Sequence, residues 1–125
     1  MRNPSETICI LDDDASVLKA MRRLLRSAGL PVLAFNEPHA CLQHAESNGM
    51  ALAIIDVWMP ELNGLEVQQK LREVAPSTPV ILMTGRDAPA MRSVALAQGA
   101  AAFFAKPFAD EALLGAVHAA LGTSR

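Results

Sequence analysis

Three consecutive aspartates, Asp12, Asp13 and Asp14, follow the apolar run ICIL at residues 8–11. Two like charges about 4 Å apart repel by on the order of 4 kcal/mol at an effective dielectric of about 20, so a fold that gathers carboxylates usually neutralises them. A bound cation is one solution. In the other, a single carboxylate points inward while its neighbours cap the next helix and face water. Three more polar residues close apolar runs: Asp56 ends LAIID (52–56), Thr84 ends PVILMT (79–84) and Lys106 ends AAFFAK (101–106). If these runs are neighbouring parallel strands, three carboxylates (Asp12, Asp13 and Asp56), a hydroxyl and an ammonium meet at one edge. Strand ends that merely met solvent would carry haphazard residue types, and these five are coordinated.

The elements that must position them alternate along the chain. TICIL (7–11), PVLAF (31–35), LAIID, PVILMT and AAFFAK are short and almost continuously apolar, as strands covered on both faces should be. Between the first two runs lies a stripe of Val17, Leu18, Met21, Leu24, Leu25 and Ala28, opposed by Lys19, Arg22, Arg23 and Arg26, a one-sided amphipathic helix. Gly29 and Pro31 supply its stop signals. Asn36 can cap a second helix with Pro38 in its first turn, ending at Gly49. Leu65, Val67, Leu71 and Val74 form a third apolar face before Pro76, and Met91, Val94, Ala95 and Gln98 a fourth running into Gly99. Asp110 and Glu111 suit a positive helix start, with Leu113, Leu114, Val117 and Leu121 on one face behind them. The pattern is (βα)5. Right-handed crossovers then place helices on both faces of a parallel sheet, an α/β doubly wound three-layer sandwich. In such sheets the functional crevice lies beyond the carboxyl ends of the strands, where Asp12, Asp13, Asp56, Thr84 and Lys106 fall.

Composition narrows the classes. With 125 residues the chain fits one domain, 1–125, with a core of about 7–121. Eleven basic against thirteen acidic residues, a net charge of −2, lack the basic excess of a nucleic-acid module, so no direct nucleic-acid binding is expected. No run is long enough to span a membrane, and MRNPSE is too short and polar for a signal peptide, which reads as a cytoplasmic protein. Cys9 and Cys41 lack metal or redox spacing and read as small buried hydrophobes. His39, His44 and His118 lack metal-ligand spacing and read as surface or packing residues.

In this order and on these elements, the residues resemble a response-regulator receiver domain, the phosphoacceptor half of a two-component system. Four features carry the likeness from about Thr7 to Leu121: the pair Asp12–Asp13, DVWMPELNG from Asp56 to Gly64, MTG from Met83 to Gly85, and FFAKPF from Phe103 to Phe108. The wording most resembles receivers of the nitrogen-fixation-regulator type. The resemblance implies the flavodoxin-like strand order 2-1-3-4-5. It also implies that Asp56 is phosphorylated by a sensor histidine kinase or phosphotransfer protein. Asp12, Asp13, Asp56 and the main-chain carbonyl of Trp58 would hold Mg²⁺, leaving Asp14 as a helix cap. Transfer to a carboxylate needs positive charge around the phosphoryl oxygens. Lys106 would supply part of it, the Thr84 hydroxyl would donate to one oxygen, and Gly85 would keep the main chain accessible.

Lys106–Pro107 resembles the family's cis bond. Thr84 and Phe103 occupy the family's switch positions, Phe103 standing where many relatives have tyrosine, so coupling would go through packing. The surface of the fourth helix, fifth strand and fifth helix would then change and act on an output domain or effector. Its alanine-rich run from Ala95 to Ala119 suits a phosphorylation-dependent homodimer, although the whole chain is rich in alanine. Trp58 and Arg86 would flank the mouth and slow the loss of the phosphoryl group.

Other classes fit less well. An aspartyl-phosphate hydrolase of the haloacid-dehalogenase type carries a second Asp two residues after its nucleophile, where this chain has Trp58. A pseudo-receiver would have lost Asp56, Lys106 or part of the acidic pair. A nucleotide or flavin binder needs a glycine-rich loop where this chain has three acids. The extent of the chain suits either a complete single-domain regulator or the receiver of a longer one.

Overall fold

Alternating apolar runs and amphipathic periods fold into five strands and five helices. A computed structural model describes residues 6–86 and 89–122. The first five residues of MRNPSE therefore lie outside it. The elements are β1 (Ile8–Leu11), α1 (Ala15–Ser27), β2 (Val32–Phe35), α2 (Pro38–Asn48), β3 (Leu52–Asp56), α3 (Gly64–Val74), β4 (Val80–Thr84), α4 (Pro89–Ala97), β5 (Ala102–Ala105) and α5 (Asp110–Ala120). All five strands pair in parallel in the order β2-β1-β3-β4-β5, as the sequence implied.

Side chains alternate across a strand, so each strand feeds two cores. Cys9, Leu11, Ala53, Ile55, Leu82 and Phe103 join Cys41, Val67, Leu71 and Ala95, the layer of α2, α3 and α4. Ile8, Ile10, Leu52, Ile54, Ile81 and Met83 join Leu18, Met21, Leu25, Leu113 and Val117, the layer of α1 and α5. Phe103 and Phe104 go to opposite faces. Strands β1, β3 and β4 are buried throughout. The expectation that every strand is covered fails at the edges: β2 and β5 are only partly buried, and Leu33 is 42% exposed. An edge strand has a neighbour on one side only.

Local details correct three helix readings. Glu37, not Asn36, caps α2: its carboxylate accepts the N–H groups of His39 (3.0 Å) and Ala40 (2.8 Å). In α3 and α4 the expected faces hold at Val67, Leu71 and Ala95, but Val74 and Val94 are exposed, and Gln68, which was not expected there, is buried. In α1, Ala28 is an exposed C-cap rather than part of the buried stripe, and Gly29 follows it at φ 78°. Asp14 caps α1 as expected, accepting the N–H groups of Ser16 (2.9 Å) and Val17 (3.4 Å). Cys9 and Cys41 are buried free thiols, and burial pushes both up to about 12. Among the described residues no helix is long and apolar enough to cross a membrane.

Candidate functional site

The parallel ladder continues past the strand ends and fixes the site's main chain. The N–H of Asp12 donates to Phe35 (3.1 Å), that of Val57 to Met83 (2.8 Å) and that of Lys106 to Thr84 (2.7 Å). Asp12 and Lys106 thus stand one residue beyond β1 and β5, while Asp56 and Thr84 close β3 and β4. Four neighbouring strands bring their terminal side chains to one edge.

Asp12, Asp56 and Thr84 are buried, with relative exposures of 1%, 4% and 1%. The Lys106 ammonium bridges the two acids, 3.0 Å from Asp12 Oδ2 and 3.1 Å from Asp56 Oδ1. Asp12 Oδ1 accepts the N–H of Asp14 at 2.9 Å, which orients the first carboxylate. Burial pushes the Asp56 carboxyl above the ordinary range, and the charges of Asp12 and Asp13 add to that against the opposing effect of Lys106. Burial alone would lower the Lys106 ammonium, but its hydrogen bonds and attraction to Asp12 and Asp56 outweigh it and raise the net value.

The donor set fits a hard divalent cation. One carboxylate oxygen from each of Asp12, Asp13 and Asp56 lies within 4.8 Å of the others. An octahedron of oxygens about 2.0–2.1 Å from Mg²⁺ has corners about 2.9–4.2 Å apart, which three oxygens confined within that limit can supply. A single ammonium leaves this acidic cluster undercompensated, and Asp13, exposed, opens the set to solvent. A second group, Glu37, His39 and Glu61, also lies within 4.8 Å, although the helix spacing around His39 did not suggest it. It is largely exposed, and the Glu37 carboxylate is engaged in capping α2.

The remaining predicted positions lie on the same strands or in the loops that follow them. The Thr84 hydroxyl donates to the Arg86 carbonyl (3.0 Å) and accepts the Arg86 N–H (3.1 Å), so here it is turned to its own loop. Gly85 is exposed, with open space where a Cβ would stand. Lys106–Pro107 is cis. Trp58 is 36% exposed, and the Arg86 guanidinium lies 4.8 Å from the centroid of its ring, joining the β3–α3 and β4–α4 loops across the site. Phe103 is buried beneath the Arg92 guanidinium, 5.1 Å away.

Two supports escaped sequence reasoning. A Cβ on Gly64 would meet the Asp56 carbonyl oxygen at 2.6 Å and Val57 Cα at 2.9 Å, so α3 can start against the end of β3 only with glycine there. Asn63 and Glu66 form a reciprocal capping box that starts α3 beside the site, a signal present in the N-x-x-E spacing.

The chain is similar to known proteins. A family model described as "Response regulator receiver domain" matches residues 8–118. Response regulator protein TodT of Pseudomonas putida is 41% identical over 121 residues, covering 97% of this chain and 53% of its own. Response regulator protein TmoT of Ectopseudomonas mendocina is likewise 41% identical, over 97% of this chain and 55% of its own. The chain therefore spans about half the length of these curated relatives. Among solved structures, a CheY-like response regulator receiver domain protein from Methanospirillum hungatei superposes with a TM-score of 0.88 at 26% identity, covering 94% of both chains.

Proposed function

Because this chain belongs to the response-regulator receiver family of two-component systems, whose role is to accept a phosphoryl group, we propose that Asp56 is the acceptor and that its donor is a phosphohistidine of a sensor kinase or phosphotransfer protein. The observation that carries the reading is the buried Asp56 carboxylate, 3.1 Å from the Lys106 ammonium and grouped with Asp12 and Asp13 at the carboxyl edge of the sheet. An Asp56 oxygen attacks phosphorus in line, a P–O bond forms, and the P–N bond breaks with its electron pair returning to the donor imidazole. Lys106 remains a cation and exchanges part of its carboxylate pairing for the phosphoryl oxygens. The Thr84 hydroxyl leaves the Arg86 carbonyl and donates to one of those oxygens. Mg²⁺ held by Asp12, Asp13, Asp56 and the Trp58 carbonyl would supply positive charge opposite the developing phosphoryl oxygens.

Thr84 and Phe103 then couple the site to the surface of α4, β5 and α5, because a rotated hydroxyl vacates volume that a packed aromatic can fill. The chain is a phosphoacceptor rather than a classical enzyme. Its phosphorylation and dephosphorylation are self-catalysed, water attacking the acyl phosphate beside Trp58 and Arg86. Trp58 occupies the place where a hydrolase of the haloacid-dehalogenase type needs a second acid, which disfavours that reading. The receiver core runs over about 7–121, works in the cytoplasm and binds neither nucleic acid nor membrane itself. It signals to an output domain or effector, with a phosphorylation-dependent homodimer as one form, and stands nearest the nitrogen-fixation-regulator type.

Trp58 is the only tryptophan and reports the test. Its fluorescence should change with Mg²⁺ and again with acetyl phosphate, intact mass should show the added phosphoryl, and Asp56→Asn should lose the second response and the mass. A wild-type chain that gains neither signal nor mass is a pseudo-receiver.

A further inference from the structure

The α4 helix rests lightly on the domain. Ala95 is its one buried residue, while Val94 and Leu96 are 43% and 46% exposed. Against it stands Gln68, a polar residue at the buried face of α3 with 1% relative exposure. The Gln68 side-chain amide Nε2 donates to the Ala95 carbonyl at 3.2 Å. That carbonyl lies in the last turn of α4 and also accepts the N–H of Ala100 at 3.0 Å. Gln68 thus helps satisfy an end of α4 from another helix, where side chains or following backbone usually do so. Its Oε1 is buried with no partner among the described residues.

We propose that Gln68 is a polar tether that sets the seat of α4, and that release of its single hydrogen bond to Ala95 is part of the switching movement. This rests on reading α4 as part of the responsive surface. A fully apolar side chain at position 68 would pack against α4 without fixing its position along α3, whereas a donor aimed at one carbonyl fixes both. A buried amide satisfied on one side only gains less from this arrangement than a fully bonded one, so the tether orients α4 without locking it. A further contact of α4, Arg92 over Phe103, lies on the switch residue itself, so moving Phe103 loosens it and leaves the Gln68 bond as the polar hold beside the packing of Ala95.

Gln68→Met keeps the volume and removes the donor. In metal-free, unphosphorylated protein, hydrogen exchange of amides 96–100 should quicken by about fivefold, the equivalent of one ordinary hydrogen bond, while the urea midpoint falls by no more than that one bond accounts for. Half-saturation by acetyl phosphate with Mg²⁺ should fall by about two- to fivefold, since less must be released. A folded variant with unchanged exchange in α4 overturns the tether. Faster exchange with an unchanged phosphodonor response overturns its part in switching. If the variant does not fold, wild-type NMR decides: the Gln68 side-chain amide protons must be protected, and free exchange refutes the bond. A wild-type chain that takes no phosphoryl group defeats the proposed function, while the exchange result still judges the tether by itself.

Discussion

Replacing Asp56 by Asn should stabilise the metal-free protein at neutral pH, although it removes the proposed phosphoacceptor. At an effective dielectric of about 20, the Asp56 charge is attracted to Lys106 at 3.1 Å by about 5 kcal/mol. Asp12, no more than 4.8 Å away, repels it by at least about 3.5 kcal/mol. Asp13 repels it too, less strongly because Asp13 faces solvent. The charge terms nearly cancel, and burial decides the sign, in keeping with an Asp56 carboxyl held above its ordinary value of 3.8. Asn keeps the shape and can still accept from Lys106, so the net gain should be about 1–2 kcal/mol, or roughly 3–10 °C in Tm.

The pH dependence follows from the same shift. A folded pKa above the unfolded one means that the folded state holds the extra proton between the two. Wild-type stability is therefore lost as pH rises from the ordinary carboxylate range through the raised value, and is flat beyond it. The advantage of Asp56→Asn should appear over that interval, persist at neutral pH and vanish where both states are protonated. Urea unfolding followed by circular dichroism in chelator, from pH 3 to 8, measures it. Mg²⁺ should reverse the order, adding about 2.7 kcal/mol to the wild type at a hundred times its Kd and less to the variant. A variant that is less stable than wild type at pH 7 in chelator, or an advantage that does not move with pH, would refute the electrostatic account.

Trp58→Ala or Arg86→Ala should each shorten the phosphoryl lifetime by about two- to fivefold, the scale set by one exposed cation–π pair at the mouth of the site; an unchanged decay of radiolabelled phosphoprotein would remove the pair from any shielding role. Gly64→Ala should cost about 1–3 kcal/mol and weaken Mg²⁺ binding, because its Cβ meets main chain of Asp56 and Val57 that cannot yield without moving the ligand loop; wild-type stability and Mg²⁺ affinity together would contradict the clash. Cys9 and Cys41, both wholly buried and pushed up to about 12, should resist alkylation in the native chain and both react once it unfolds, as mass spectrometry would record.

The order of elements, the parallel sheet and the set of strand-end residues were legible in the chain because each is a one-dimensional signal. Apolar runs closing on Asp56, Thr84 and just before Asp12 and Lys106 report burial and its end, and Asp14 reports a cap by its place before α1. The edge exposure of Leu33, the burial of Gln68 and the exposure of Val74 and Val94 were not legible, since they depend on which neighbour arrives from elsewhere in the chain. The need for glycine at position 64 shows only once β3 lies against it. The same holds at the centre of the site. Residue types announced that acids, a hydroxyl and an ammonium would share an edge, but only the folded chain decided that Lys106 bridges Asp12 to Asp56, that Thr84 turns to Arg86, and that Arg86 covers Trp58. Those choices are settled by distances of a few ångströms between residues as many as 94 positions apart, and competition among partners at that range is a property of three dimensions.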